Sequence, residues 1–551
     1  MNKKRERLVR LSGAVLAGMM VMFSLVLVPA NAQWTPPPNM KVAPVNPAFT
    51  SYMSKVKAEK AAGISPAAIK PGKHATGKIP SPVDHSALNL IMKSSPKKSP
   101  ALATATYPSY FNLLSPNGGA SRVTPVRDQG NCGSCWAHGA TASVESHMAG
   151  WSIYTALSNQ GIIDTQGSDY GPCDGGFEEM AVEVMASQGN LSEAFYPYNY
   201  WWPSMNMPDT TSVVNRYIMC NVDAIPVGVN SDNTPSTSYV KNVLVNQEIA
   251  VAVSICMLEN APFLQVAANG DYTLFTASYC GENSNHEVAI VGYDDNYPAS
   301  NFGVAPPGNG AWLIKNSWGA WWGGAHSQAN SGGTFNGGYF WLSYYDPSLN
   351  SDWGWVFNGV KWMNTASSNT TQNWFYQYDQ IGWTNNLGYS SATAYAANMF
   401  KASPTGKVIH SVSFYTVAPN TNVTVQIYDN CPWNGSSYNP SGGTAKIANG
   451  GQTYTFANVG YHTLTLTTPV TVTAGTSNAT EFSVVVKFYT PGYIYPLAVQ
   501  YPLNGYSENR NYAIGERGYA SPNGTTWTDL GSDAYPNTGI IPCIKAFGSS
   551  S

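Results

Sequence analysis

Two cysteines at the start of a helical pattern constrain this 551-residue chain more than any other feature. The stretch QGNCGSCWAHG, residues 129–139, separates Cys132 from Cys135 by two positions. A pair with this spacing belongs to a redox site, to half of a zinc site, or to a nucleophile beside a structural cysteine. The three alternatives require different partners elsewhere in the chain, and each implies a different fold.

The sequence lacks the partners that the first two alternatives need. A redox pair of the thioredoxin kind follows a buried strand, whereas the residues before Cys132, SRVTPVRDQGN, form a polar pattern with Pro125 and Gly130. A zinc site needs a second half such as Cys-x-x-Cys or His-x-x-x-His, and the sequence contains neither. The third alternative has partners downstream, because His286 opens the apolar run HEVAIVGYD and Asn316 follows the apolar run AWLIK.

The first 32 residues have the order of a secretory signal peptide. A basic beginning, MNKKRERLVR, precedes an apolar stretch from about Leu11 to Ala30 and the small-residue site Ala30-Asn31-Ala32. This order predicts a signal peptide over residues 1–32 with cleavage after Ala32, the alternative being a retained membrane anchor. We therefore expect a secreted or cell-surface associated protein, in a compartment where disulfides persist.

Composition excludes several classes of partner. The chain is 11% charged and 13% aromatic and carries a net charge of −3. Beyond the signal peptide no basic stripe suggests binding to nucleic acid, and no later segment sustains the roughly 18 apolar residues of a membrane span. We expect no metal and no cofactor.

Changes in composition and in hydrophobic pattern along the chain predict its domains. Residues 33–106 are rich in Pro, Ala, Lys and Ser, which predicts a weakly structured leader, or propeptide, with one possible short helix near FTSYMSKVKAEKAAG. Helical and strand patterns mix over 107–350, the predicted catalytic region. Residues 351–370 are a linker or the start of the C-terminal domain. From 371 to 551, runs such as NVTVQIYD alternate apolar with polar residues between turns, which predicts an antiparallel sandwich.

Four motifs in one order carry a family resemblance. PVRDQGNCGSCWAHG resembles the active-site segment of papain-like cysteine peptidases, HEVAIVGYD their catalytic-histidine strand, WLIKNSWGAWWG their asparagine loop, and LSNQGIIDTQGSDYGPCDGG their substrate-groove loop. The 151 positions from Cys135 to His286 are close to the roughly 130 to 150 of this family. IPSPVDHSAL in the leader and VKFYTPGYIYPLAVQYPLNGYS near the C-terminus resemble exported prokaryotic members with a lectin-like domain.

The resemblance implies a fold and an activity. The fold is an α+β two-lobed peptidase, with a helical lobe and a β-barrel lobe, followed by an all-β sandwich lectin-like domain. The activity is that of a thiol protease, a hydrolase of the EC 3.4.22 type. Protein or peptide substrates are the implied partners, with cell-surface glycans as a further partner of the C-terminal domain.

The resemblance also implies site residues. Cys135 is the nucleophile, favoured as a thiolate by a helix N-terminus and a neighbouring imidazolium. His286 pairs with Cys135 and donates a proton to the leaving amine. Asn316 orients that imidazole, and Gln129 contributes a donor to the oxyanion hole.

Three further residues are expected to contact substrate or protect the site. Gly175 and Gly176 let an extended substrate backbone approach closely, because glycine has no Cβ. Trp318 shields the hydrogen bond between His286 and Asn316 from water.

The eight cysteines leave an odd number once the nucleophile is set aside. The resemblance pairs Cys132 with Cys173. Sequence position suggests two more pairs and one thiol that stays free, namely Cys431 with Cys543, Cys256 with Cys280, and Cys220.

Several alternatives stay open. The leader is an inhibitory propeptide or a cell-envelope spacer, and the C-terminal domain binds glycans, docks substrate or stabilises the chain. The whole protein is a peptidase, an adhesin-like binding module with an inert peptidase region, or a Cys-His cell-wall amidase of another fold. An amidase would have an Asp-Cys nucleophile motif, whereas Ser134 precedes Cys135.

Overall fold

The computed structural model describes most of the chain beyond the predicted signal peptide. The described residues are 36–63, 74–85, 92, 106–199, 215–230, 232–280, 283–323, 337–364, 374–403, 407–473, 481–507, 515–531 and 540–549. The predicted signal peptide and its cleavage site after Ala32 lie outside them. Residues from Pro36 onward belong to one compact unit. Among the described residues, every helix is too short or too polar to cross a membrane.

The leader contains a short strand and a helix. Strand β1 spans Lys41–Val42 and helix α1 spans Pro47–Ala61. The helix begins with a proline at its first position, and Asn46 caps it by accepting a hydrogen bond from the amide of Ala48 at 2.9 Å. The short helix predicted near this position is therefore present, and it buries Phe49 and Val56.

In the described part of the catalytic region, the α-helices are α2 (Cys135–Ala149), α3 (Asn159–Thr165), α4 (Glu178–Ser187) and α5 (Ser238–Asn242). Helix α2 is rich in Ala and Ser, and almost every one of its residues is buried. Small side chains let neighbouring elements approach a helix on all sides, so α2 lies at the centre of the catalytic region.

The strands of this region are β2 (Tyr110–Asn112), β3 (Asn215–Ile225), β4 (Val251–Ile255), β5 (Leu264–Val266), β6 (Tyr272–Leu274), β7 (His286–Asp294), β8 (Ala311–Lys315), β9 (Tyr339–Ser343) and β10 (Gly354–Asn364). Strand β7 pairs with β4 and β8, and most of its residues are buried. Its nearly continuous apolar sequence suits this central position. Helix α2 packs on β7 and β10, and α4 packs on β3.

The C-terminal region is built from strands: β11 (Trp374–Tyr376), β12 (Asn385–Gly388), β13 (Thr393–Lys401), β14 (Val408–Thr416), β15 (Thr421–Cys431), β16 (Thr444–Ala445), β17 (Gln452–Phe456), β18 (Val459–Thr471), β19 (Glu481–Tyr489), β20 (Leu497–Gln500), β21 (Gly518–Ser521), β22 (Thr528–Asp529), β23 (Ile541–Pro542) and β24 (Ile544–Ser549). The run NVTVQIYD lies on β15, and similarly alternating sequences lie on β14, β18 and β19. Within the described residues, one sheet has the strand order β16-β15-β19-β13-β21-β22, with β17 paired to β15. Another sheet has the strand order β1-β12-β20-β23.

One large sheet joins the two regions. In the described part of the chain it runs β11-β24-β14-β18-β3-β10-β4-β7-β8-β9-β6-β5, with β2 paired to β7. Strand β3 pairs with β10 on one side and with β18 on the other, where Val459 lies opposite Ala224. Residues 351–370, expected to be a linker or the start of the C-terminal domain, thus contain the 11-residue strand β10.

A buried ion cluster also joins the regions. Lys545 on β24 lies 3.0 Å from a carboxylate oxygen of Glu183 on α4 and 2.6 Å from one of Asp379. All three side chains are buried.

Of the two further disulfides expected from sequence position, the one in the catalytic region is present and the one in the C-terminal region is not. Cys256 and Cys280 are joined, whereas Cys431 and Cys543 are free, so that pairing was wrong. The reason is that the two thiols pack in different apolar clusters, Cys431 beside Met399 and Tyr438 and Cys543 in the core that includes Trp383. Cys220 is also free, as expected.

Candidate active site

Cys135 is the first residue of α2, and its thiol is free and buried. Ser134, which precedes the helix, makes no capping hydrogen bond with its side chain. The positive end of the helix dipole is therefore directed at the thiol and stabilises a negative charge there. The backbone N–H of Gly77, in the leader, donates a hydrogen bond to the sulfur at 3.2 Å.

His286 and Asn316 meet beside this helix. His286 is the first residue of β7, and Asn316 follows β8, the strand paired to β7. Nε2 of His286 lies 2.8 Å from Oδ1 of Asn316, so Nε2 donates and the second ring nitrogen is left as an acceptor. Within the described residues, that Nδ1 atom has no hydrogen-bond partner.

The packing of α2 on β7 brings this pair to Cys135. The backbone N–H of Glu287, next to His286, points at the Cys135 sulfur. One turn along α2, a Cβ on Gly139 would lie 2.6 Å from a carboxylate oxygen of Glu287, so glycine at this position leaves room for the buried Glu287 side chain. Residues 151 positions apart in sequence are thus assembled by one helix–strand contact.

Gln129 is fully buried, and its amide faces the leader. Its Nε2 donates to the carbonyl oxygens of Cys132 at 2.9 Å and of Ala75 at 3.2 Å. Its Oε1 accepts a hydrogen bond from the hydroxyl of Ser317 at 2.5 Å, which fixes the orientation of the amide. The side chain is therefore prepared to donate to a carbonyl oxygen in the cleft.

Trp318 covers the imidazole. Its ring stacks on that of His286, with centroids 4.7 Å apart, and only 4% of its surface is exposed. Its Nε1 donates to the carbonyl of Ala75 at 3.0 Å, so this leader oxygen accepts from Gln129 and Trp318 together. The ring excludes water from one face of His286.

Gly175 and Gly176 contact the leader backbone. The amide of Gly176 donates to the carbonyl of Gly77 at 2.9 Å, and its carbonyl accepts from the amide of Ile79 at 3.0 Å. A Cβ on Gly176 would lie 2.4 Å from the indole of Trp136, and Gly175 has a φ of +103°. Both positions require glycine for reasons of space or backbone conformation.

A disulfide joins Cys132 to Cys173. It ties the loop before Cys135 to the loop that carries Gly175. The covalent link holds the loop before the nucleophile beside the loop that carries the backbone-binding glycines.

Burial keeps the two central groups neutral. Burial raises the pKa of the Cys135 thiol to about 11. The backbone N–H groups of Glu287 and Gly77 and the charge of Lys78 act in the opposite direction, but burial outweighs them. Burial also lowers the pKa of His286 to about 4, although the hydrogen bond to Asn316 opposes this. With the leader in the cleft, the pair is a thiol and a neutral imidazole.

The leader residues in the cleft were not assigned to a site from the sequence. Lys78 forms ion pairs with Glu178 and with Asp352, and His85 lies 2.9 Å from Glu179 and 2.9 Å from Asp352. A lone lysine in the Gly- and Pro-bounded stretch ATGKIPSPVDH was the available signal. Asp352 fell beyond the predicted end of the catalytic region at 350.

Comparison with known proteins supports two domains. The family model described as papain family cysteine protease matches residues 108–327, and the model described as lectin like domain matches residues 375–548.

Curated relatives match the first of these regions. The chain is 32% identical over 206 residues to cysteine proteinase EP-B 1 of Hordeum vulgare, covering 36% of this chain and 48% of that protein. It is 32% identical over 203 residues to vignain of Ricinus communis, covering 36% of this chain and 49% of that protein. The chain thus spans about half the length of the curated relatives it matches.

Solved structures extend the likeness of fold to both regions. The cysteine protease and lectin-like domains of Cwp84, a surface layer associated protein of Clostridium difficile, match with a TM-score of 0.66 at 20% identity, covering 93% of this chain and 99% of that one. The clostridial cysteine protease Cwp84 after propeptide cleavage matches with a TM-score of 0.59 at 22% identity, covering 78% and 97%. The fold expected from the sequence, a papain-like peptidase followed by a β-rich lectin-like domain, is confirmed. The chain therefore carries a papain family cysteine protease domain followed by a lectin like domain.

Proposed function

We propose that this protein is a secreted cysteine endopeptidase in which Cys135 is the nucleophile. The observation that carries the proposal is the 2.8 Å hydrogen bond between His286 and Asn316, beside a free thiol at the N-terminus of α2. This bond leaves Nδ1 of His286 free to exchange a proton with the thiol. The predicted signal peptide supports export.

The residues then divide the reaction as follows. The Cys135 thiolate attacks the carbonyl carbon of the substrate, and Gln129 Nε2 with the backbone N–H of Cys135 stabilises the resulting oxyanion. The C–N bond breaks as the His286 imidazolium donates its proton to the leaving amine. His286 next takes a proton from water, which attacks the thioester; the C–S bond breaks, the carboxylic acid leaves, and the Cys135 thiolate is regenerated beside the imidazolium.

The leader is an inhibitory propeptide in this proposal. Residues 74–85 pass through the cleft, and Gly77 presents its amide N–H to the Cys135 sulfur. The backbone of the same segment also satisfies the backbone hydrogen-bonding groups of Gly176, and one of its carbonyl oxygens accepts a hydrogen bond from the side-chain amide of Gln129. A substrate needs these donors and acceptors, so it binds only after the leader has left. A cell-envelope spacer would not need any of these contacts.

The first test is turnover of a pooled fluorogenic peptide library in mild thiol. The leader-free protein is compared with Cys135→Ala and with Cys220→Ala, which removes another free thiol. We expect turnover by the wild type and Cys220→Ala and none by Cys135→Ala. No turnover by any of them, after leader removal has been verified by mass spectrometry, would favour a binding protein with an inert peptidase region.

A second test concerns the substrate class. Casein and purified peptidoglycan are incubated in parallel with the leader-free protein. We expect new peptide ends from casein only. Release of amino sugars or wall peptides from peptidoglycan would instead favour a cell-wall amidase activity.

We also propose that the C-terminal domain binds cell-surface glycans. The match to a lectin like domain supports this, and Trp433 and Trp527 are only partly buried. The test is binding of full-length Cys135→Ala to a glycan array, with Trp433→Ala as the matched variant. Glycan binding that the tryptophan change weakens is expected. No binding would favour substrate docking or stabilisation of the chain.

A further inference from the structure

The side chain of Lys78 fills a buried pocket next to the candidate active site. Its ammonium group forms ion pairs with Glu178 and, at 2.9 Å, with Asp352, and its side chain is 2% exposed. Burial lowers the pKa of Lys78, but these carboxylates outweigh burial and raise it above its ordinary value. The pocket therefore holds a fully charged cation away from solvent.

Four separate elements supply the walls of this pocket. Glu178 is the first residue of α4, and its Oε1 accepts a hydrogen bond from the hydroxyl of Ser254 on β4 at 2.9 Å. Glu287 lies on β7, directly after His286, and is fully buried against Glu178. Asp352 comes from the segment before β10. Since these carboxyl groups converge from distant parts of the chain, they form a built site for a cation.

The pocket has a defined place relative to the thiol. Gly77 contacts the sulfur, and the next residue, Lys78, lies opposite Gly176 in a β-bridge. The amide of Lys78 donates to the carbonyl of Asn285 at 3.1 Å. Bridge partners project their side chains to the same face whether the two segments run parallel or antiparallel. A substrate aligned on Gly176 therefore places one side chain in this pocket, one residue away from the residue at the sulfur.

Departure of the leader changes the charge balance of the pocket. Lys78 leaves Glu178 and Asp352, and His85 leaves Asp352 and Glu179. Buried carboxylates without a cationic partner are costly. A basic side chain would restore the ion pairs, an apolar one would leave the carboxylates unpaired, and an acidic one would add a like charge.

We propose that this pocket selects a lysine or arginine side chain at the second residue before the scissile bond of a protein substrate. The assignment rests on the proposed peptidase function and names the class of substrate for it. Glu178 and Asp352 are the specificity-determining residues, and Lys78 of the leader occupies the place of the substrate side chain.

The test uses the leader-free protein and fluorogenic peptide amides that differ at one position. The residue before the scissile bond is kept constant, and the second residue before it is Lys, Arg, Leu or Glu. We expect kcat/KM to be about tenfold or more higher for Lys and Arg than for Leu, because charge-assisted hydrogen bonds form only with the basic side chains. Glu should give the lowest value. A Cys135→Ala preparation excludes a contaminating peptidase.

A variant pair adds a second readout. Asp352→Asn should lower the Lys-to-Leu ratio several-fold, whereas Asp232→Asn, an exposed residue outside the pocket, should leave it unchanged. If Asp352→Asn does not fold, the comparison of substrates on the wild type still decides. Equal turnover of all four substrates, or a preference at another position, would overturn the pocket assignment alone. No turnover of any substrate would overturn the proposed peptidase function, and the assignment with it.

Discussion

At the scale of single residues, the state of Cys135 depends on whether the leader is bound. Burial is the largest influence on its pKa, and the leader contributes to that burial at Gly77. The reactive ion pair of a cysteine peptidase requires the opposite state, a thiolate beside an imidazolium. In the proposed peptidase, the leader would therefore suppress the chemistry as well as access.

The first prediction follows from this coupling. In the full chain the Cys135 thiol, with a pKa raised to about 11, should stay protonated up to strongly alkaline pH. In the leader-free protein, less burial should lower that pKa by several units. The measurement is the ultraviolet absorbance of the thiolate against pH, as the difference between wild type and Cys135→Ala. Identical titrations with and without the leader would contradict the prediction.

The second prediction concerns Gln129, whose amide is held by Ser317 and aimed into the cleft. Gln129→Ala should lower kcat by about 10²–10³ with little change in KM, because the donor acts on the oxyanion of the transition state. Steady-state kinetics of the leader-free protein measure both constants. Gln247→Ala, at an exposed position, is the control. A rise in KM with kcat unchanged would instead indicate a role in ground-state binding.

The residues of the candidate site could be predicted from the sequence because each lies in a local motif, Cys135 and Gln129 in the same one. Cys135, His286, Asn316 and Gln129 are all brought to one cleft. Lys78 could not be predicted, since its partner Asp352 is 274 positions away and neither residue lies in one of those motifs. A pocket built from four elements leaves no local pattern.

At the scale of secondary-structure elements, the leader segment 74–85 is held by charge as well as by backbone pairing. His85 lies between Glu179 on α4 and Asp352, and its ring stacks on Trp353 with centroids 3.9 Å apart. Burial opposes its charge, but the two carboxylates outweigh burial and raise its pKa from 6.5 to about 10.

The third prediction is the pH dependence of leader binding. The pKa of His85 is higher when the leader is bound. The contribution of His85 to the binding free energy of the leader is therefore fully present below pH 6.5 and is lost as the pH rises through about 10. The inhibition constant of a leader peptide, residues 36–92, should increase over that range by at most about tenfold per pH unit. Inhibition of the leader-free protein is measured from pH 6.5 to 9.5. The His85→Gln peptide should bind more weakly and with a flatter pH profile; an unchanged slope would contradict the role of His85.

Elements were predictable where periodicity is strong. The alternating runs on β14, β15, β18 and β19 and the small-residue helix α2 are examples. The pairing of Cys431 with Cys543 failed because both are cysteines in one β-rich region, and sequence position does not say which apolar cluster each joins.

At the scale of the whole molecule, the catalytic and C-terminal regions share buried structure. Lys545 on β24 is the cation between Glu183 on α4 and Asp379. Removal of a single partner from a buried ion cluster leaves uncompensated charge, which costs about 3–5 kcal/mol.

The fourth prediction is the effect of this loss on stability. Lys545→Met should lower the free energy of unfolding by about 3–5 kcal/mol, because Glu183 and Asp379 would stay buried without a cation. Urea denaturation of the full chain measures it, with Lys401→Met, at an exposed position, as the control. Equal midpoints for the two variants would show that the cluster does not contribute to stability.

Strand β3 has consequences for how this protein can be engineered or rearranged. It is flanked by β10 on one side and by β18 from the C-terminal region on the other. Cutting the chain at residue 350 would remove both neighbours and expose two unpaired backbone edges, a template for aggregation. The catalytic region therefore needs the strands of the C-terminal region to complete its sheet. Gene fusions or domain shuffling must include the lectin like domain together with it.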